Sequence, residues 1–273
     1  MIVRFENPFL FFEYSIFLKA LIGSLLVGVI CSIIGVYVYL KKISFIGAGL
    51  AHIAFAGISF GLMIGFSPMF CGFVFAFFSA VLLWSLSRKD RLTSDSTIGI
   101  LFATSMGLAV FFLGLSGKYR SQALSYLFGS PLTIETVDVI FLMITALLLI
   151  FFVIYFYRDI YLTIFSEEIA KASGIPTEII TFFVTFFISV AVVSAMKAVG
   201  ALLVFSLLVI PPAAAYENSN GLLKMLLLSV LFAVLSVFIG VLLSFSLDVP
   251  SGAMITIVSF LLFLLSYIKT LEN

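Results

Sequence analysis

The sequence predicts an all-α polytopic integral membrane protein, a single transmembrane domain over residues 1–273 with about nine (eight to nine) spanning helices. Three observations carry that prediction. The chain is 63% hydrophobic and only 10% charged, with a mean hydropathy of +1.33, whereas a water-soluble domain is about half apolar and a quarter charged. The apolar residues fall in runs close to the ~17–25 residues that a helix needs to cross hydrocarbon. No polar stretch between the runs is long enough to fold by itself, although the length alone would allow two soluble domains. A net charge of +1 gives no basic surface for nucleic acid.

Residues 1–16 come before the first span. Glu6 and Glu13, and the lack of a basic start followed by a clean apolar core, argue against a signal peptide. The Phe-rich composition and Tyr14 suit a segment lying along the lipid headgroups. The spans are then expected at residues 17–40, 46–65, 69–86, 96–116, 137–157, 179–195, 198–216, 222–244 and 252–268. Cys31 and Cys71 lie inside apolar runs and are expected to be small packing residues rather than a disulfide. Gly57, Gly61 and Gly65 make consecutive G-x-x-x-G steps, which favour close helix packing within the bundle. Met196 and Lys197, just before Gly200, are all that separates the sixth run from the seventh. A tight turn and a single broken helix both fit there. Pro211 and Pro212, late in the seventh run, would either kink a gate or end the helix.

Loop charges set the expected orientation, because basic residues collect on the cytoplasmic side. Loops 41–45, 87–95, 158–178 and 217–221, with the C-terminus, hold Lys41, Lys42, Arg88, Lys89, Arg91, Arg158, Lys171, Lys224 and Lys269. The opposite side holds Arg4, Lys19, Lys118, Arg120 and Lys197. The richer side is expected to be cytoplasmic, which places the N-terminus outside and the C-terminus inside.

His52 is the only histidine in the chain, and it lies within the second span. An ionisable ring is costly in hydrocarbon, so it is either a transient metal ligand on a transport path or a packing histidine bonded to a neighbouring helix. Eight residues past Ser44 is ~12 Å along a helix, close to mid-membrane. Asp248, in SLDVPSG, is a second candidate at the outer mouth, with Ser251 as a supporting oxygen; the alternative is a turn or capping residue before Pro250. His52 and Asp248 share an ion only if the 245–251 loop dips inward.

Loop 158–178 carries a short helix signature. Ser166 is placed to cap it, Glu167 and Glu168 lie in its first turn, and Ala170 and Lys171 follow. Gly174 suits a left-handed end, and Pro176 prevents continuation. Such a segment is either an ordinary linker or a lever docked by a partner.

Four segments in order resemble the membrane subunits of zinc/manganese/iron ABC importers, the ABC-3 family. They are Lys41–Gly57 (KKISFIGAGLAHIAFAG), Phe165–Pro176 (FSEEIAKASGIP), Val199–Ala215 (VGALLVFSLLVIPPAAA) and Leu247–Ala253 (LDVPSGA). The resemblance implies a type II ABC importer permease-like bundle that is not itself an enzyme. It would act as a homodimer with two cytoplasmic ATPase subunits and an extracytoplasmic metal-binding protein, in the cell membrane. It also implies a divalent metal as transported substrate, zinc first and manganese or iron next, with no permanently bound cofactor. Phe165–Pro176 corresponds to the family's ATPase-coupling segment. The chain lacks G-x-x-x-x-G-K-[ST]; before Gly117 and Lys118, Phe112 stands where the first glycine would be. One position departs from the pattern. Ala48 stands where zinc and manganese members commonly carry Asp, four residues before the histidine. The alternatives are an ABC permease for a bulkier ligand such as a siderophore or cobalamin, and an ion-coupled secondary transporter. The latter would need intramembrane carboxylates or an inverted repeat.

Overall fold

The computed structural model describes residues 15–87, 94–116, 120–129 and 134–271, and among them it has twelve helices. They are α1 (Ser15–Leu40), α2 (Ile46–Ile64), α3 (Pro68–Ser87), α4 (Ser94–Ser116), α5 (Arg120–Phe128), α6 (Thr136–Tyr155), α7 (Tyr157–Phe165), α8 (Glu167–Ala172), α9 (Thr177–Val199), α10 (Ala201–Glu217), α11 (Leu222–Leu247) and α12 (Ser251–Leu271). Most of the interfacial segment expected over 1–16 lies outside the described residues, as do Arg88, Lys89, Arg91, Lys118 and the side chain of Lys197.

Among the described helices α1, α2, α4, α6, α9, α11 and α12 are long and apolar enough to cross a membrane, which makes this a multi-pass membrane protein. By that criterion nine spans is a slight overcount. At the third and seventh expected spans stand two further apolar helices, α3 and α10, whose apolar stretches among the described side chains are Pro68–Leu83 and Leu203–Glu217. The start of α10 is set by Gly200. Its backbone (φ 82°, ψ 158°) ends α9 and starts α10 with no other residue between them. Phe77 of α3 meets Phe186, and the space beside Gly72 is filled by Val193, so α9 runs antiparallel to α3. Val199 and Gly200 then lie against Gly129, at the far end from the α7–α8 loop.

The loops sort to two ends as alternation requires. Lys41 reaches Glu167, Tyr39 packs on Tyr216, and Thr270 bonds the Glu217 carbonyl. Loops 41–45, 158–178 and 217–221 and the end of α12 therefore share one end of the bundle. Gly65, Gly129 and Asp248 end their helices at the other.

Two packing groups meet along the most buried helices. In one, α2 lies between α3 and α4 and also touches α9. In the other, α1 and α10 pack together and against α11 and α12. Lipid gives no hydrophobic drive for helices to associate, so close backbone approach and interhelical hydrogen bonds hold such a bundle. A Cβ on Gly57 would lie 2.5 Å from the Cys71 carbonyl oxygen, and one on Gly61 would lie 2.8 Å from the Pro68 Cα. These two glycines seat α2 on α3. Gly65 does not continue their face. It is the left-handed cap of α2 (φ 71°), with nothing nearby, so its role is to end the helix.

Pro211 and Pro212 do not end α10, which runs through both to Glu217. They remove the N–H donors that would have met the Leu207 and Leu208 carbonyls. Gly35 of α1 presses against the Leu208 carbonyl, and a Cβ there would lie 2.7 Å from Pro212 Cγ. Interhelical side-chain bonds reinforce this half. Ser229 donates to the Ser32 carbonyl at 3.1 Å, and Ser206 and Thr256 share a bond of 3.0 Å.

Gly35→Ala is expected to cost about 1–3 kcal/mol, because neither a backbone carbonyl nor a proline ring can move aside. Gly28→Ala should cost less, since its nearest neighbour is a Val237 methyl at 3.1 Å. Thermal unfolding in detergent ranks the two; equal midpoints would contradict this packing.

Candidate functional site

Almost every residue of α2 from Ile46 to Leu62 is buried. The partly open positions in that stretch are Ala48, His52 and Phe60, spaced to form one stripe. The stripe faces α4. The His52 ring meets the Phe102 ring edge-on at 4.5 Å, and Phe60 meets Phe112 at 5.2 Å. His52 Nδ1 is buried and has no hydrogen-bond partner. A packing histidine bonded through that nitrogen to a neighbouring helix is therefore not what the structure places here. An orphaned ring nitrogen is a cost that a ligand, water or partner group would remove.

Asp248 sits elsewhere. It is the left-handed cap of α11 (φ 53°, ψ 47°), and its backbone N–H donates to the Ser244 carbonyl. Ser244 Oγ donates to the Val249 carbonyl at 2.6 Å, which tightens the turn. The Asp248 side chain is exposed, and Ser251 opens α12 in a buried position. His52 belongs to the α2–α3–α4–α9 group and Asp248 to the α11–α12 pair, so the structure does not bring them together. Among the described residues no three His, Cys, Asp or Glu side chains converge to hold a metal ion.

The segment expected as one short helix in the 158–178 loop is a pair. The apolar run of α6 stops at Tyr155, and after Phe156 the chain re-forms as α7. There Ile160 and Thr163 face inward while Tyr161 and Phe165 face out. The second helix, α8, has the expected ends. Ser166 Oγ accepts the Ile169 N–H at 3.3 Å. At the other end the Gly174 N–H meets the Lys171 carbonyl and the Ile175 N–H meets the Ala170 carbonyl, both at 3.0 Å, with Gly174 left-handed. That is the Schellman pattern of paired end bonds. Ala170 is fully buried beneath it.

This pair is tied to the start of α2. Glu167 bridges Lys171 at 3.0 Å and approaches Lys41 at 4.0 Å. Burial lowers the Lys41 pKa; Glu167 opposes that shift and Lys171 adds to it. Lys41 stands in the turn that leads into the His52 helix, so the contact joins α8 to α2. Beneath α7 lies an apolar cavity lined by Tyr37, Phe152, Ile160, Ile164 and Phe187.

A model of the ABC 3 transport family matches residues 13–270. The chain belongs to the ABC-3 family. Among relatives of this ABC-3 member, the manganese transport system membrane protein MntC of Halalkalibacterium halodurans is 32% identical over 256 residues, covering 93% of this chain and 87% of its own length. The high-affinity zinc uptake system membrane protein ZnuB of Haemophilus influenzae is 28% identical over 256 residues, covering 94% and 98%. The solved structure of PsaBC from Streptococcus pneumoniae in complex with Fab contains a chain of the same fold, with a TM-score of 0.85 at 24% identity over 96% of this chain and 95% of that one.

Sequence reasoning missed three parts of this arrangement: α7, the Lys41–Glu167 contact, and the α4 wall beside His52. The Ile160–Ile164 spacing was the signal available for α7. Ser166→Ala removes the α8 cap and should cost about 1 kcal/mol locally. Hydrogen exchange over 167–175 should quicken several-fold while α9 stays unchanged; an unaltered exchange rate would contradict the capping role.

Proposed function

We propose that this chain is the membrane permease subunit of an ABC importer that moves divalent metal ions into the cytoplasm. The observation that carries the reading is the partly open Ala48–His52–Phe60 stripe on an otherwise buried helix, joined through Lys41 to the capped α8 segment. Two ATPase subunits would dock on α7–α8, around the exposed Phe165 and Ile169. An extracytoplasmic metal-binding protein would deliver the ion at the other end. The end holding the α7–α8 pair is then cytoplasmic, in keeping with its basic loops. Closure of the ATPases would push α8, and the Glu167–Lys41 contact would pass that motion to the helix that holds His52.

The second copy of the permease fits against α4. That helix is apolar yet mostly exposed, and Gly99, Gly107 and Gly114 face open space. Glycines at an exposed apolar surface suit close contact with another helix better than contact with lipid. A twofold seam there would set two His52 rings near one path.

Imidazole accepts zinc and manganese alike, and the names of the relatives divide between those two metals. Zinc remains the first ion to test, because a nitrogen donor without its carboxylate neighbour suits a softer cation. One observation favours a second reading, import of a chelated metal. Ala48 leaves no carboxylate beside His52, so a bare ion would rely on water or on the second copy for its remaining ligands.

Uptake of zinc and manganese into proteoliposomes containing the ATPase partner decides between them. His52→Ala should lower ATP-driven uptake at least tenfold, while Ala48→Asp should tighten binding and favour manganese. Normal uptake of both metals by the His52 variant would remove the path from this site. Separately, Gly107→Cys should give a disulfide-linked dimer on oxidation in membranes, whereas Ile144→Cys on the exposed face of α6 should not. Cys31 and Cys71 are buried and give no background. Monomers from both variants would refute the α4 seam.

A further inference from the structure

At the basic end of the bundle, a groove opens between α11 and α12, distinct from the α7–α8 pair and from His52. Lys224, in the first turn of α11, and Lys269, in the last turn of α12, stand at its mouth. Leu228, Phe232, Leu262 and Leu265 line its depth. The floor near the mouth is polar: Ser266 Oγ donates to the Ala214 carbonyl at 2.7 Å, and Asn218 Nδ2 donates to Ser266 Oγ. Lys224 and Phe232 are eight residues apart, about 12 Å along a helix.

We propose that this groove is a binding site for an anionic phospholipid. The phosphate sits at the two ammonium groups, and the first part of an acyl chain lies along Leu228, Phe232 and Leu262. Charge complementarity selects this occupant. A zwitterionic headgroup would bring a cation against two lysines, and a second copy of this chain would bring the same lysines against each other. The depth also fits, since polar contacts at the mouth give way within about two to three helical turns to a wholly apolar wall, as headgroup gives way to tail. Basic pockets between spanning helices on the cytoplasmic side recognise acidic headgroups in this manner. The site gives the α11–α12 pair a dependence on membrane composition that is separate from transport of the ion.

The test uses the full chain with its single tryptophan moved into the groove, Trp84→Phe with Phe232→Trp, in nanodiscs. Brominated phosphatidylglycerol should quench that tryptophan at several-fold lower mole fraction than brominated phosphatidylcholine. Adding Lys224→Gln and Lys269→Gln should abolish the difference, whereas Lys19→Gln, on the other side of the bundle, and the conservative Lys224→Arg should leave it intact. Equal quenching by the two lipids in the parent would overturn the proposal, as would a preference that survives loss of both lysines. Relief of quenching by millimolar inorganic phosphate would assign the site to a free anion instead. Absence of quenching by either lipid would mean that protein covers the groove.

Discussion

The arrangement depends on one constraint: hydrocarbon offers apolar helices no reward for burying each other, so they must touch backbone to backbone. The contact of Gly35 with the Leu208 carbonyl shows how this constraint is met. Pro211 and Pro212 free two carbonyls in the middle of a buried helix, which would be expensive if those carbonyls faced lipid. Gly35 brings its Cα surface against one of them, and the resulting α1–α10 pair is the wall on which α11, α12 and α9 are hung. Gly57 and Gly61 do the equivalent for α2 on α3. The residues that determine how helices meet are thus mostly those with the least side chain.

That constraint also sets the site. Because α2 is clamped on three sides by α3, α9 and α10, only one stripe of it remains open, and His52 lies in that stripe. Burial on the other faces leaves the ring nowhere to turn but toward α4, where Phe102 supplies an aromatic edge and no acceptor. Ala48 and His52 stand together on that stripe, so α2 offers one imidazole and no carboxylate there.

Much of this was legible beforehand, for physical reasons that can be named. Spans are readable because a membrane demands long apolar runs, and α8 is readable because caps use specific residues: Ser166 and Gly174 fell where the end bonds place them, and Pro176 lies past them at the start of α9. The sorting of basic loops to one end also followed from alternation. Less legible were features that depend on the partner surface. Gly65 belongs to a glycine spacing yet serves as a cap, because α3 begins just beyond it and there is nothing left to pack against. Pro211 and Pro212 signal a helix end in water, but neighbouring helices tolerate them here. The α7 helix was hidden because its charged first turn looks like a loop, and its inward stripe is only two turns long. The facing of His52 toward α4 could not be read from α2 alone.

The apolar cavity beneath α7 has a mechanical meaning. Well-packed interiors transmit displacement because they cannot be compressed. An unfilled space under one element gives that element slack. Ile160 and Ile164 pack against the core at the edge of that space, while α8 next door is held at both ends by its caps. The two halves of this loop are thus anchored by unlike means, α8 by fixed end bonds and α7 by apolar contacts around a small space.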